Sequence, residues 1–285
     1  MKKALIFGAQ GQLGSDIKEH FQSLGIETVT PTREELEITA LKQVKTYICN
    51  HKPDVVINCA AYHHVDLCES NPETATQINV TAPKFIARMC NYLNIKFIHF
   101  STDYVFDGAK NSPYTEQDTP NPLNVYGKTK WQGEQQILIE NQSALILRVS
   151  AIYGKYPCRA KNGLNFVQLM LKLSKEKPFL QVVGDEIVSP TATADIAQIL
   201  PRIIKEDLHG IAHLTSEGSC SWYEFAKTIF ELTNTTTPIE KVDSTVFPAK
   251  TPRPKYSVLE NTAIKNRGMV GMPHWKDALT NYLKN

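Results

Sequence analysis

A glycine-rich segment near the N-terminus restricts the fold of this chain more than any other feature of the sequence. Gly8, Gly11 and Gly14 form a G-x-x-G-x-x-G motif that follows a short apolar run and opens an amphipathic segment. This order predicts a strand, a tight turn and a helix, in which backbone N–H groups and the helix N-terminus bind a pyrophosphate. Glycines that serve only the turn are the alternative, which the strand-to-helix context disfavours.

The first half of the chain alternates short apolar runs with segments whose apolar residues recur every three to four positions. Strands are predicted at Ala4–Phe7, Glu27–Thr30, Val55–Asn58, Phe97–Ser101 and Ala144–Arg148. Helices are predicted at Leu13–Leu24, Leu41–His51, Glu73–Tyr92 and Tyr126–Glu140. Such alternation is typical of a parallel sheet flanked by helices, so the expected fold class is α/β with a Rossmann-type doubly wound parallel sheet.

The pattern becomes irregular after Arg148, where loops lengthen and prolines cluster at positions 248, 252 and 254. We predict a dinucleotide-binding domain at residues 1–148 and a smaller C-terminal α/β substrate-binding lobe at residues 149–285. Residues 194–205 form an amphipathic helical pattern that can pack back on the first domain. The second domain is then discontinuous.

The composition excludes several classes of protein. The chain has 31 Lys plus Arg against 29 Asp plus Glu, without the basic excess of a nucleic-acid binder. No stretch approaches the roughly 20 apolar residues that span a bilayer, and Ala4–Phe7 is too short an apolar run for a signal peptide. The six cysteines lack C-x-x-C spacing, which predicts reduced thiols. We expect a globular, cytoplasmic protein that binds neither nucleic acid nor membrane.

The residues after the second predicted strand bear on the choice of nicotinamide cofactor. An acidic residue there usually accepts from the ribose 2′-hydroxyl of NAD, but this strand runs into Arg33. An arginine favours a 2′-phosphate and hence NADP(H). Glu34, Glu35 and Glu37 follow closely and leave NAD(H) as the alternative, and a solvated surface charge is the other interpretation of Arg33.

A tyrosine and a lysine four residues apart are the second chemical signal. The chain has three Y-x-x-x-K pairs, at Tyr92/Lys96, Tyr126/Lys130 and Tyr223/Lys227. Only Tyr126 and Lys130 follow a polar strand end in the first domain, where ligands bind in open α/β sheets. An ammonium near a phenol lowers its pKa, which predicts that Tyr126 exchanges a proton with a substrate oxygen. Ser101 or Thr102 can donate a hydrogen bond to the same oxygen while a cofactor supplies hydride.

The glycine motif at residues 8–14, STDYVFDG at residues 101–108 and YGKTK at residues 126–130 carry a family resemblance. Together they resemble the dTDP-4-dehydrorhamnose reductase family of extended short-chain dehydrogenases/reductases. The resemblance covers nearly the whole chain and is most specific where STDYVFDG and YGKTK occur together. The matching stretches are Gly8–Gly14, Ile57–Tyr62, Val65–Asp66, Ser101–Gly108, Leu123–Lys130, Asn165–Val167, Pro190–Thr191, Ser221–Ala226 and Arg253–Pro254.

The resemblance implies NADPH-dependent reduction of a 4-keto group on a nucleotide-linked deoxysugar, with Thr102, Tyr126 and Lys130 as the catalytic trio. Residues expected to contact the cofactor are Gly8, Gly11, Gln12, Leu13, Gly14, Arg33, Glu37, Ile38, Ala60, Ala61, Tyr62, His63, Asn79, Phe100, Tyr126 and Lys130. Residues expected to contact the substrate are Val65, Thr102, Asp103, Ala151, Asn165 and Arg253. For Asn79, an amide on the surface of a helix is the alternative.

Some members of this family are thought to bind Mg²⁺ at a dimer interface through carboxylates. The sequence identifies no such carboxylates here, so no metal ligand is predicted. It also leaves the homodimer as an open expectation.

The departures from the family pattern fall on the substrate side. Ala151 stands where the family has a tryptophan, Glu186 and Val188 replace Gln and Gly, and Tyr256 replaces Asn. The segment Lys155–Gly163 carries three cations, Lys155, Arg159 and Lys161, which either reach a substrate diphosphate or form a solvated loop.

Such changes are typical of an altered sugar or of lost turnover. The competing interpretation is therefore a non-catalytic NADP-binding regulatory subunit similar to the β subunit of methionine adenosyltransferase. An epimerase-type reductase is a third, which Ser101–Gly108 disfavours.

Overall fold

The computed structural model describes residues 1–158, 163–269 and 271–284. The strands are β1 Lys3–Phe7, β2 Glu27–Val29, β3 Val55–Asn58, β4 Lys96–Thr102, β5 Leu145–Val149, β6 Ile152–Tyr153, β7 Leu180–Val183, β8 Ile187–Val188, β9 Thr191–Ala192, β10 Gly210–His213, β11 Cys220–Ser221 and β12 Ile239–Val242. The α-helices are α1 Gln12–Ser23, α2 Leu41–His51, α3 Val65–Ser70, α4 Pro72–Thr76, α5 Ala82–Tyr92, α6 Val125–Glu140, α7 Phe166–Glu176, α8 Thr193–Lys205, α9 Trp222–Leu232, α10 Thr262–Asn266 and α11 Trp275–Lys284. None of these described helices combines the length and the apolar character needed to cross a bilayer.

The central sheet has six parallel strands in the order β10-β5-β4-β3-β1-β2. The chain runs outward from β1 to β2 and then crosses back to β3 on the other side of β1. The strand order therefore reverses between β1 and β3, and the carboxyl ends of these two strands form the crevice where such sheets bind ligands. The predicted Rossmann-type doubly wound sheet is confirmed.

The two faces of the sheet are covered by different helices because successive strand residues point to opposite faces. In β1, Ile6 packs in the core formed with α1 and α8, whereas Leu5 packs in the core formed with α2 and α5. Strands that are buried on both faces have continuous apolar sequences. Strands β1 and β3 are of this kind and can therefore be recognised from the sequence.

Residues beyond position 148 build a second core and also return to the first. The second core lies around α7, α9 and α11, with Tyr153, Phe225 and Trp275 at its centre. Strand β10 extends the central sheet beside β5, and α8 packs against α1. The division at residue 148 stays a prediction, with β10 and α8 belonging spatially to the first unit.

The predicted helix over residues 73–92 is interrupted by a π-helical turn at Gln77–Thr81. The turn lies just before Pro83, which has no N–H and cannot donate to the carbonyl of Asn79 four residues earlier. A Cβ on Gly133 would contact the same Asn79 oxygen. The π turn thus brings Asn79 against α6.

Candidate active site

The turn between β1 and α1 contains glycines at positions where a side chain would not fit. Gly8 has a φ of +76°, and a Cβ there would lie 2.7 Å from the backbone nitrogen of Ala60. A Cβ on Gly14 would contact the carbonyl oxygen of Gly8 and lie 2.8 Å from the Cα of Ala9. Gly8 is therefore required by close packing against the segment after β3, and Gly14 by close packing within the turn after β1.

The residues at this turn fit the pyrophosphate of a dinucleotide. Gly11 is the N-cap of α1 and has no side chain to cover the free N–H groups of the first helical turn. Gln12 is buried, and its Oε1 has no hydrogen-bond partner among the residues that the structure describes. Leu13 is buried beneath the turn. The predicted pyrophosphate contacts therefore share one helix N-terminus at the switch point of the sheet.

The segment after β3, which carries Ala60, Ala61, Tyr62 and His63, is fixed by the side chain of Asn79. The Asn79 Oδ1 accepts from the Tyr62 N–H at 2.9 Å, and its Nδ2 donates to the Tyr62 carbonyl at 3.0 Å. Nδ2 also lies 3.1 Å from the Thr129 hydroxyl on α6. Asn79 is 1% exposed, so the surface-amide interpretation is wrong.

The residues predicted to contact the adenosine lie after β2. Arg33 is exposed, and its Nε is 2.6 Å from a carboxylate oxygen of Glu37. Ile38 is buried in the core beside α2. Arg33 is thus one half of a surface ion pair, and its contact with a 2′-phosphate stays a prediction.

Lys130 lies on the face of α6 that packs against the sheet. It is 1% exposed, and its Nζ donates to the Phe100 carbonyl at 2.7 Å and lies 2.9 Å from His99 Nε2. Burial lowers the pKa of Lys130 to about 8. Helix α6 can pack closely against its neighbours because two of its residues are glycines. A Cβ on Gly127 would contact the Tyr104 carbonyl oxygen, and a Cβ on Gly133 would contact the Asn79 carbonyl oxygen.

Tyr126 and Thr102 meet at the carboxyl end of β4. The Thr102 side chain lies beside the Tyr126 phenol and favours its ionised form, although burial outweighs this effect on the Tyr126 pKa. The Thr102 hydroxyl donates to Asp103 Oδ1 at 3.0 Å. Ser150 donates to the other Asp103 oxygen at 2.9 Å. The carboxylate of buried Asp103 thereby fixes the position of Thr102.

The expectation that Lys130 lowers the pKa of Tyr126 is wrong for this structure. Burial raises the pKa of Tyr126, because the phenolate would have to lose its hydration. The Lys130 amine is directed to His99 and Phe100 instead. Tyr126 is therefore a phenol that keeps its proton at neutral pH, as an acid requires.

The remaining predicted substrate residues are spread over several segments. Val65 begins α3, Ala151 follows β5 with a left-handed φ of 44°, and Arg253 is exposed on the loop before β-bridged Tyr256. Asn165 caps α7: its Oδ1 accepts from Gln168 N–H and its Nδ2 donates to the Gly154 carbonyl at 2.7 Å. The Asn165 amide is thus engaged within its own lobe.

Comparison with known proteins identifies the family. The model described as the RmlD substrate binding domain matches residues 1–285. A spore coat polysaccharide biosynthesis protein of Bacillus subtilis is 38% identical and covers 100% of this chain and 98% of its own. A dTDP-4-dehydrorhamnose reductase of Aggregatibacter actinomycetemcomitans is 36% identical, with coverages of 99% and 98%. A dTDP-4-dehydrorhamnose reductase of Bacillus anthracis, solved in complex with NADP, superposes with a TM-score of 0.94 at 35% identity, with coverages of 100% and 99%.

The chain belongs to the dTDP-4-dehydrorhamnose reductase family. The family predicted from the sequence is confirmed, and so is its class, an oxidoreductase of nucleotide sugars. The contacts of the individual site residues with cofactor and substrate stay predictions.

Three buried side chains of the site were not singled out from the sequence. Asn58, His99 and Glu134 are each no more than 1% exposed. Glu134 lies one helical turn beyond Lys130 and pairs with Arg148 at 2.6 Å, and it accepts from Ser101 at 2.5 Å. A charged residue four positions after Lys130, on the same helix face, was the signal available for Glu134.

Two features that the family resemblance raised, a Mg²⁺ site and a role for the loop cations, have no support in the described structure. Within residues 1–158, 163–269 and 271–284 no group of three or more His, Cys, Asp or Glu side chains is arranged to hold a metal ion, so no Mg²⁺ ligand is assigned. Of the three loop cations, Lys155 pairs with Glu19 at 2.7 Å, while Arg159 and Lys161 lie outside the described residues.

Proposed function

We propose that this protein is an NADPH-dependent reductase that acts on the 4-keto group of a nucleotide-linked deoxysugar, with dTDP-4-dehydrorhamnose as the first candidate. The observation that carries the proposal is the position of the protonated phenol of Tyr126 beside the Thr102 side chain at the end of β4. This pair lies at the same sheet edge as the glycine turn. The reductase names of the relatives support the same activity.

In the proposed reaction the bound cofactor supplies a hydride to the carbonyl carbon. Tyr126 gives its O–H proton to the carbonyl oxygen, which becomes the hydroxyl of the product. The single O–H of Thr102 donates to Asp103 in this structure, and this hydrogen bond positions the side chain. In the proposed reaction that O–H turns to the carbonyl oxygen and stabilises the negative charge that develops before the proton arrives.

The glycine turn and Gln12 would hold the pyrophosphate, and Lys130 the ribose beside Tyr126. NADP(H) is the proposed cofactor, since a family member was solved with NADP. We place the reaction in the cytoplasm, and association into a homodimer stays a prediction.

Tyr126→Phe tests the proposal by removing one oxygen. We expect the rate of NADPH consumption with dTDP-4-dehydrorhamnose to fall by about 10²–10⁴-fold, the usual contribution of a general acid, while the Kd for NADPH changes little. Tyr223→Phe, on α9, makes the same chemical change in the second lobe and should keep wild-type turnover.

Wild-type-like turnover in Tyr126→Phe would overturn the assigned role. If the wild-type protein binds NADPH tightly but reduces no 4-keto nucleotide sugar, the regulatory-subunit interpretation replaces the reductase. Turnover with another nucleotide sugar alone would keep the reaction and change the substrate.

A further inference from the structure

A row of three hydrogen-bonded side chains leads from beneath the site to Lys130, and two of its members have no role in the reaction proposed above. It consists of Asn58 at the end of β3, His99 in β4 and Lys130 on α6. Asn58 and His99 are fully buried and Lys130 is 1% exposed. Each hydrogen must therefore find its acceptor inside the protein, because an unpaired buried polar group is costly.

One end of the chain has its direction fixed by the backbone. The Ala60 N–H can only donate, and it lies 3.0 Å from Asn58 Oδ1. The other amide atom of Asn58 is then Nδ2, which lies 3.0 Å from His99 Nδ1. Since Nδ2 carries only donors, His99 Nδ1 must offer a lone pair, and a neutral imidazole then carries its hydrogen on Nε2.

The other end of the chain meets this hydrogen. His99 Nε2 lies 2.9 Å from Lys130 Nζ, which itself donates to the Phe100 carbonyl at 2.7 Å. A neutral amine has a lone pair that accepts from Nε2–H, whereas an ammonium has none. With ammonium, either the Lys130 contact or the Asn58 contact places two donors face to face. All the hydrogen bonds are satisfied together only when Lys130 is a neutral amine.

We infer that Asn58 and His99 are positioning residues that favour the neutral amine of Lys130 over its ammonium, through hydrogen bonds donated in one direction from Asn58 to His99 to Lys130. Any effect on turnover rests on the proposed role of Lys130 in the reaction. The direction of the hydrogen bonds does not depend on that role.

The surroundings of Lys130 agree with this direction. Burial lowers the pKa of Lys130 to about 8 and holds the pKa of His99 well below its usual value, so His99 stays neutral. Two other titratable groups face Lys130, the Cys59 thiol from the segment after β3 and the Glu134 carboxylate from α6 itself. The Glu134 charge raises the pKa of Lys130, but this carboxylate is already paired with Arg148.

Asn58→Asp reverses the chain with almost no change of shape. A carboxylate still accepts from the Ala60 N–H, but it also accepts from His99 Nδ1–H, so the imidazole hydrogen moves to Nδ1 and Nε2 offers a lone pair to a Lys130 ammonium. We expect the ¹⁵N NMR shifts of His99, measured above the Lys130 pKa of about 8, to show the hydrogen on Nε2 in wild type and on Nδ1 in Asn58→Asp. Asn94→Asp, an exposed residue after α5, adds the same charge as a control.

His99→Phe supplies a second variant if a buried aspartate prevents folding. Phenylalanine keeps the ring and removes the hydrogen that faces Lys130. The ¹³Cε titration of Lys130 should then move upward by at least about one pH unit, a tenfold gain in proton affinity. If His99 instead accepts from a Lys130 ammonium, the same variant moves that titration downward.

A hydrogen on Nδ1 of wild-type His99, or a downward shift of Lys130 in His99→Phe, would overturn the inference. Neither measurement uses substrate, so both stand apart from the reductase proposal. If the NMR results hold and the pH profile of turnover also shifts upward in His99→Phe, the chain acts in catalysis. If the pH profile of turnover does not shift in His99→Phe, the hydrogen-bond direction still holds, but the hydrogen bonds have no effect on catalysis.

Discussion

The interface between α6 and the central sheet and the predicted substrate side of the site hold their polar groups in different ways. At the interface, Glu134 and Arg148 are each 1% exposed and form a 2.6 Å ion pair. On the substrate side, Arg253 is exposed and Glu186 is half-buried, with the Trp222 indole and the Arg253 charge as its neighbours. Among the described residues, the Glu134 and Arg148 side chains have no buried polar atom without a partner, whereas the predicted substrate side carries partly solvated charges.

This difference bears on the departures from the family pattern. Losing one partner of a buried ion pair strongly destabilises a protein, while a change at a partly solvated position costs little. Ala151, Glu186 and Tyr256 are half-buried, whereas Val188 is buried. We predict that the three half-buried departures alter what is bound at little cost in stability.

Glu134→Gln should have the largest effect on stability. Glutamine keeps the shape but leaves the buried Arg148 guanidinium without a counter-charge, and we expect a loss of about 3–5 kcal/mol in the free energy of unfolding. Glu140→Gln is the matched control, because Glu140 forms a two-pronged pair with the more exposed Arg88. That change should cost about 1 kcal/mol or less.

Denaturant unfolding of both variants measures the two losses. Equal losses would show that the interface is no more dependent on its charges than the surface is. The contrast between the two regions would then have to be abandoned.

Gly14→Ala should have an intermediate effect. The added methyl group would contact the Gly8 carbonyl and the Cα of Ala9, so the turn must shift, at a cost of about 1–3 kcal/mol. Because the shifted backbone is the proposed pyrophosphate site, we also expect the Kd for NADPH to rise at least about tenfold.

Gly11→Ala separates packing from binding in the same turn. A Cβ on Gly11 would lie 3.3 Å from the Gly8 oxygen, a tight but adjustable contact. Its Tm should stay closer to wild type than that of Gly14→Ala. The reverse order of Tm values would contradict the steric account of the motif.

These contrasts also show which parts of the site the sequence could predict. The glycine turn and the Tyr126/Lys130 pair are local patterns, in which residues a few positions apart share one element, and the structure has them on that element. Five of the six strands of the central sheet follow from the β-α alternation, whereas β10 was not predicted. Such features depend on periodicity and backbone geometry, which neighbouring residues determine.

The remaining features depend on contacts between distant segments. The pKa of Tyr126 is raised by burial, which no local pattern reports, and the direction of the Lys130 amine is set by His99, 31 positions earlier. The π turn at Asn79 lies just before Pro83 and packs against α6, a helix from a later segment of the chain. A fold can therefore be predicted from local signals well before the charge state of its site can.

Glu186→Gln should have the smallest effect and bears most directly on the substrate side. Its carboxylate lies near Arg253, a predicted contact of the anionic nucleotide sugar, and offsets part of that positive charge. Removing the carboxylate should lower KM by about two- to fivefold, the size of one partly screened charge interaction. kcat should stay unchanged, because Glu186 has no contact with Tyr126 or Thr102 among the described hydrogen bonds.

The pH dependence gives this last prediction its sign. Burial raises the pKa of Glu186 above its usual value, so the carboxylate gains a proton as the pH falls through that raised pKa. The wild-type KM should therefore decrease toward acidic pH and approach that of Glu186→Gln, whose own KM lacks this step. Glu240→Gln, an exposed change on β12, should keep the wild-type profile. A lowered kcat in Glu186→Gln, or one pH profile shared by all three proteins, would show that Glu186 does not act on the bound substrate through Arg253, and the open charges of this region would then need another role.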